Sequence, residues 1–242
     1  MISQFLKGVF NAKPPSRILV PSWDLTVVLE ALQRPPFTPL ATSSLKFLTL
    51  KTVFLVAITS ARRVSEIHSL GRNSPFARFE RHLVCLNSLP GFLSKNSNLH
   101  HLGAEIVLPC FCTYNDLLCV RCILKHYIEV TNNLVEVDTN RLFVSFGGGT
   151  LGKAVTCRTI SSWLVRVIRL AYEAQKMQPP EVRAHSTRGA ATSWGLFQKA
   201  SLDQIIQAAD WKTSTTFVRH YRLHIWKQNR ASFGSAVLHS AS

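Results

Sequence analysis

Ala184-His185-Ser186-Thr187-Arg188-Gly189-Ala190-Ala191-Thr192-Ser193-Trp194 is the stretch on which the reading of this chain turns. It follows Pro179-Pro180, which ends the preceding helical pattern, so His185 and Arg188 stand three apart at the start of a new helix. Free amides at such a start favour anions. A lone His-x-x-Arg is weak on its own, and its partners in the chain give it weight. Upstream, Arg63-Val64-Ser65-Glu66-Ile67 puts an arginine and a carboxylate three apart at the end of an apolar helix. Glu66 can orient Arg63 there, although taken alone the spacing is better explained by an ordinary intrahelical ion pair. Downstream, Trp211 follows Asp210 between two helical patterns, and Tyr221 lies in Phe217-Val218-Arg219-His220-Tyr221-Arg222, flanked by cations. A packing tryptophan and a tyrosine anchoring the last helix are the plain alternatives. Taken in order, two arginines, a histidine, an indole and a late tyrosine are the groups needed to attack a DNA phosphodiester with a phenol, without metal or nucleotide.

Composition points to a nucleic-acid partner. The 242 residues carry 28 Lys+Arg against 13 Asp+Glu, a net charge of +15. That excess has the sign of a surface that neutralises backbone phosphates. With 46% hydrophobic residues the chain can bury a substantial core. The most apolar run, Leu45 to Ala61, contains Lys46 and Lys51, and its uncharged part is far shorter than a bilayer requires, so it reads as a buried helix. No segment resembles a signal peptide or a membrane span. Six cysteines do not demand disulfides in so apolar a chain, which points to a reducing, intracellular compartment.

The expected organisation is mainly α with a small antiparallel β-sheet, an α+β class. A helical piece over Ile2 to Phe10 and a proline-rich stretch make up residues 1–40, expected to be the remnant of an N-terminal DNA-binding domain and its linker; residues 41–242 form the main domain. Within that linker, Trp23-Asp24-Leu25 to Leu32 keeps helical spacing. A long helix from about Ser43 to Leu70, broken near Thr59-Ser60, should precede strands at Leu83 to Leu86, Gly91 to Ser94 and Glu105 to Leu108. Helices follow at Asp116 to Thr131, Thr159 to Lys176, Ser186 to Lys199, Ser201 to Ala209 and Ser214 through the tyrosine, with Leu142 to Phe146 extended.

Two other motifs compete for attention. Gly147-Gly148-Gly149-Thr150-Leu151-Gly152-Lys153 approaches the phosphate-loop pattern, but Ala154 replaces the hydroxyl that would hold magnesium, so no nucleotide is expected. Cys110, Cys112, Cys119, Cys122 and His126 have ligand chemistry. Cys119 and Cys122, however, fall in a helix beside Leu118, Ile123 and Tyr127, and read as buried free thiols, so no metal and no cofactor are expected.

Together these stretches resemble the catalytic domain of the tyrosine recombinase (phage integrase) family, and most closely the recombinases of DIRS-like eukaryotic mobile elements. The likeness rests on Trp23-Asp24-Leu25, on Thr59-Ser60-Ala61-Arg62-Arg63-Val64-Ser65-Glu66-Ile67, on the stretch from Ala184 to Trp194, and on Ala208-Ala209-Asp210-Trp211 leading to Thr216-Phe217-Val218-Arg219-His220-Tyr221. It implies the fold of the DNA breaking-rejoining enzymes and a site-specific recombinase or integrase working through a 3′-phosphotyrosine. By the resemblance, Arg63, His185, Arg188, Trp211 and Tyr221 are catalytic, with Tyr221 the nucleophile. Lys95, in Phe92-Leu93-Ser94-Lys95-Asn96-Ser97, matches the family's hairpin lysine. Thr187 in place of a leucine, Gly189 in place of a histidine, and a Trp211-to-Tyr221 spacing one residue longer than in bacterial members all fit the mobile-element subgroup. Double-stranded DNA, assembly as a dimer to tetramer on it, and a nuclear location are further implications. The alternatives are a catalytically inactive DNA-binding protein derived from a mobile element, and a type IB topoisomerase acting alone.

Overall fold

In the computed structural model, residues 21–94, 104–136 and 138–222 are described. The first helix, α1 (Leu25–Leu32), is capped by the Asp24 side chain, which accepts from the Thr26 amide. Trp23, Leu25, Val28, Leu32 and Phe37 are all buried in the main core. The second half of the stretch read as linker therefore supplies a core helix. Two tertiary bonds fasten its start. Trp23 Nε1 donates to Ser186 Oγ at 2.8 Å, and the Asp24 amide donates to Tyr172 Oη at 2.7 Å. The helical piece expected over Ile2 to Phe10 lies outside the described residues.

The long apolar run becomes α2 (Leu45–Ser60), and Leu48 through Ala57 are buried without interruption. A helix apolar all round must be central. It packs against the later helices α4 (Val120–Thr131), α5 (Cys157–Ala174) and α6 (Ser186–Phe197). Within that buried run Lys51 is the one charged residue. Its ammonium donates to Thr38 Oγ1 at 2.8 Å, and burial lowers its pKa to about 8.

The break expected near Thr59-Ser60 falls at Ala61, which adopts a left-handed conformation with φ 51°, and the chain then re-enters helix as α3 (Val64–Ser69). Arg63 is the N-cap of that new helix. The kink thus places Arg63 at the start of a new helix, not at the end of the apolar one.

The sheet has three antiparallel strands in the order β1-β2-β3, formed by β1 (Ala77–Phe79), β2 (Leu83–Leu86) and β3 (Ile106–Pro109). The register pairs Ala77 with Leu86, Phe79 with Val84, and Leu86 with Ile106. Alternation then puts Val84, Leu86, Ile106 and Leu108 on the buried face while Val107 points outward, 52% exposed. Two of the expected strands are present. Gly91 to Ser94 is not a strand: Gly91 has φ 82° at a turn, and the third strand is β1, a three-residue edge too short to announce itself by period.

Asp116 to Thr131 divides into a 3₁₀ turn, Asp116–Leu118, and α4. Leu142 to Phe146 is extended with only isolated bridges, among them Val144 to Ala154. That bridge closes the glycine-rich segment into a hairpin turn. Gly152 is required there, because φ is +78° and a Cβ would stand 1.7 Å from Leu134 O. The following helix, α5, begins only at Cys157, so the loop amides do not run into a helix N-terminus as phosphate cradling needs. After α6 come two short helices, α7 (Leu202–Ala208) and α8 (Ser214–His220).

Candidate active site

Four parts of the fold converge on one pocket: the Ala61 kink, the start of α6, the α7–α8 turn and the end of α8. Arg188 is its centre. Only 1% of the residue is exposed, although it is an arginine on a helix. Its Nη2 donates to Ala209 O, and its guanidinium carbon lies 4.8 Å from the Trp211 ring and 5.4 Å from the Tyr221 ring. Burial and the nearby Arg63 charge lower its pKa to about 10, so it remains a cation at neutral pH.

Glu66 organises the two upstream arginines. Its carboxylate accepts from the Arg63 amide at 2.7 Å, while Oε1 stands 3.8 Å from both Arg62 Nη1 and Arg63 Nη1. Arg62, to which the sequence pattern assigns no role, reaches across to Asp210 Oδ2 at 3.3 Å and donates to Ala104 O at 3.2 Å. Asp210 holds its ion pair from a left-handed backbone, φ 51°, in the turn that presents Trp211. The Arg62–Asp210 bridge thus ties the kink after α2 to the last two helices. Its signal in the sequence was an aspartate beside the tryptophan, which carries no information about distance.

Tyr221 ends α8, its amide bonded to Phe217 O at 2.9 Å, and its own carbonyl accepts from Ser193 Oγ of α6 at 2.9 Å. Its ring is 4.7 Å from the Trp211 ring and 5.3 Å from the His185 ring. Trp211 is buried and packs on Phe217. His185 sits on the open edge, at the residue that begins α6. Partial desolvation and the Arg188 and Arg63 charges hold its imidazole below the ordinary histidine value, which favours the neutral, proton-accepting form. The Trp23 bond to Ser186 fixes this helix start from below, a positioning contribution visible only in three dimensions.

In this cluster the buried donors without a hydrogen-bond partner outnumber such acceptors. Arg63 Nη1, Arg188 Nε, Arg188 Nη1 and Trp211 Nε1 are buried donors with no acceptor at hydrogen-bond distance among the described residues. Leaving such a group unmade costs about 1–3 kcal/mol, so four together are expensive unless an oxyanion completes them. Beside the start of α6, an open groove is lined by the exposed Arg158, Arg166 and Arg169 of α5 together with Ala184. These three lie at helical intervals on the polar face of an amphipathic helix, where the sequence pattern alone does not distinguish them from ordinary solvated charge.

Of the residues singled out from the sequence, Arg63, Glu66, His185, Arg188, Trp211 and Tyr221 are thus brought together, while Lys95 lies outside the described residues. Lys153, in the glycine-rich loop, is paired with Glu136 at 3.5 Å. The reading of Cys119 and Cys122 as ordinary core thiols needs correction, since only Cys119 is fully buried and its sulfur belongs to a group of four.

No protein-family model matches the sequence, and no curated protein does. The fold, in contrast, is that of tyrosine recombinase catalytic domains. The chain is similar to XerH site-specific recombinase bound to palindromic difH substrate in a post-cleavage complex, with TM-score 0.63 and 14% identity, covering 93% of this chain and 55% of that one. It is similar to XerA recombinase, TM-score 0.56 and 15% identity over 95% of this chain and 68% of that one. It also resembles a lambda integrase dimer bound to a COC′ core site, TM-score 0.53 and 15% identity over 88% and 52%. The chain therefore spans about half the length of the XerH and lambda integrase structures.

Proposed function

We propose that this protein is a site-specific DNA recombinase that cleaves and rejoins strands through a tyrosine-linked intermediate. One observation carries the proposal: buried donors of Arg63, Arg188 and Trp211 find no hydrogen-bond acceptor, and the Arg188 and Trp211 side chains lie against the Tyr221 ring. A phosphodiester transition state gathers charge on its non-bridging oxygens, and guanidiniums satisfy such oxygens with paired, charge-assisted hydrogen bonds. Loss of one preorganised donor of this kind typically lowers the rate about 10²–10³-fold.

In the proposed reaction Tyr221 Oη attacks phosphorus and His185 takes the phenolic proton. The bond from phosphorus to the 5′-oxygen breaks, Lys95 protonates that oxygen, and a 3′-phosphotyrosine remains. Reversal with another 5′-hydroxyl rejoins the strand, and the phosphoester bond is conserved throughout, so no nucleotide is consumed. Glu66 orients Arg63. The Arg158, Arg166 and Arg169 face is suited to the DNA backbone, in keeping with the net charge of +15. By the likeness to recombinases whose structures hold a dimer on a core site and a tetramer on a Holliday junction, assembly on DNA is part of the proposal. So are the kinship to DIRS-like mobile-element enzymes and action in the nucleus.

The test is a duplex nicked next to the cleavage position, so that the 5′-hydroxyl fragment diffuses away and traps the intermediate. The proposal expects a covalent protein–DNA adduct that Tyr221→Phe abolishes while DNA affinity is kept. DNA binding without any adduct would favour the inactive DNA-binding relic. Relaxation of supercoils by a monomer would favour the topoisomerase.

A further inference from the structure

Away from that pocket, four cysteines spaced as Cys110-x-Cys112 and Cys119-x-x-Cys122 converge. The first pair follows the end of β3, whose ladder continues through the Cys110 amide to His82 O at 2.7 Å. Cys119 is the N-cap of α4, and Cys122 lies three residues into the same helical turn. All four sulfurs lie within 4.8 Å of one another, with Cys110 Sγ 3.7 Å from Cys119 Sγ and Cys112 Sγ 3.2 Å from Cys122 Sγ.

We infer that these thiols form a closed, structural zinc site joining the end of the sheet to α4. Around a tetrahedral zinc with zinc–sulfur bonds of about 2.3 Å, sulfurs stand roughly 3.8 Å apart, and the 3.7 and 3.2 Å pairs, in a group that spans no more than 4.8 Å, lie near that edge length. Two free pairs would need no such common centre. Cys85 and Cys157 lie outside the group, which makes the convergence specific to the four spaced cysteines.

The surroundings suit thiolates. The Phe111 amide donates to Cys119 Sγ at 3.1 Å, and Arg121 Nη1 approaches Cys122 Sγ at 3.9 Å. Donors of this kind neutralise the charge of metal-bound sulfur and orient it. The loop between the two pairs is braced from within and from outside. The Tyr114 and Asn115 amides both bond to Phe111 O, at 3.0 and 2.9 Å, and Asn115 Nδ2 donates to Gln33 Oε1 at 2.7 Å at the end of α1. Both cysteine pairs are therefore held by elements that pack independently of any metal. Four thiolates also leave no open coordination position, so the metal has no part in phosphate chemistry and the inference stands apart from the proposed function. Its consequence is mechanical. Lys95 lies in the connection between β2 and β3, and a metal at the far end of β3 would fix the strand to which that connection returns.

The experiment is elemental analysis of the full chain purified under reducing conditions, together with a count of reactive thiols after denaturation in chelator. The expected result is one zinc per chain and all six cysteines present as thiols. Cobalt exchanged into the wild-type protein should give the absorption bands of a tetrahedral thiolate complex, a readout that depends on no variant folding. Cys112→Ser/Cys122→Ser should lose the metal, and Cys85→Ser should keep it. Metal-free protein with every thiol free would overturn the site. So would disulfides that leave only the Cys85 and Cys157 thiols reactive, or zinc retained in the double variant.

Discussion

The main core and the C-terminal cluster are built on different scales. The first runs from Trp23 to Ala190 and includes α2, residues of α1, α4, α5 and α6, and the inner face of the sheet. The second consists of Ala61, Ile205, Ala209, Trp211 and Phe217, with Tyr221 packed on its edge. Arg63 and Arg188 emerge from the large core, whereas Trp211 and Tyr221 ride on the small one. A cluster of this size stabilises little by itself, and its attachment depends on a few polar ties: Arg62 to Asp210, Arg188 to Ala209 O, and Ser193 to Tyr221 O. Of the groups proposed to hold the phosphate, Arg188 belongs to a helix packed on the large core, whereas Trp211 shares the small cluster with the proposed nucleophile, so local opening of that cluster would displace both.

The largest expected effect separates the two regions directly. Leu164→Ala, at a fully buried position of α5, should lower global stability by about 2–5 kcal/mol, measured by denaturant unfolding. Phe217→Ala removes a larger side chain yet should leave the main unfolding transition nearly in place, while amide exchange in α8 accelerates and adduct formation falls. Equal losses of global stability in the two variants would break the distinction.

Next in size is the division of labour between the arginines and Lys95. General-acid assistance is worth typically about 10²–10⁴-fold, and a 5′-bridging sulfur needs no proton because a thiol ionises near roughly pH 8.5. Lys95→Ala should be slow on ordinary DNA and restored on the sulfur-substituted strand, whereas Arg188→Ala should remain slow by about 10²–10³-fold on both. Rescue of Lys153→Ala instead would move the acid to the glycine-rich loop.

What could be read from the sequence is what chemistry and period constrain. An anion site would restrict residue types, so His185, Arg188, Arg63, Trp211 and Tyr221 stand out by identity and order, and the structure brings them together, while α2, α5 and α6 are legible from their apolar positions. The misses have physical causes. Prolines around Trp23 to Phe37 mark turns but say nothing of burial, so a core helix passed for linker. Ala77–Phe79 is too short for alternation to register, and Gly91 to Ser94 looked like a strand because isolated apolar residues fit any period. The Arg62–Asp210 tie, the Trp23 support of α6 and the meeting of the four sulfurs are contacts between distant segments, which local pattern does not encode.

A smaller effect probes the field inside the pocket. Removing a cation should let His185 bind its proton more easily, so Arg63→Gln should raise the His185 pKa toward the ordinary value of about 6.5. Nuclear magnetic resonance titration of the ring reads this without any turnover. In the wild type the imidazole should take up its proton at a lower pH than an ordinary histidine, and cleavage should decline as it does so. An unchanged His185 titration in Arg63→Gln would separate the two residues.

The central claim is that the tyrosine on the small cluster is the group that becomes bonded to DNA. Peptide mapping of the trapped adduct by mass spectrometry tests it most directly. The account predicts a nucleotide phosphate attached to Tyr221 alone; attachment at Tyr114, Tyr127 or Tyr172, or undiminished adduct in Tyr221→Phe, would contradict it.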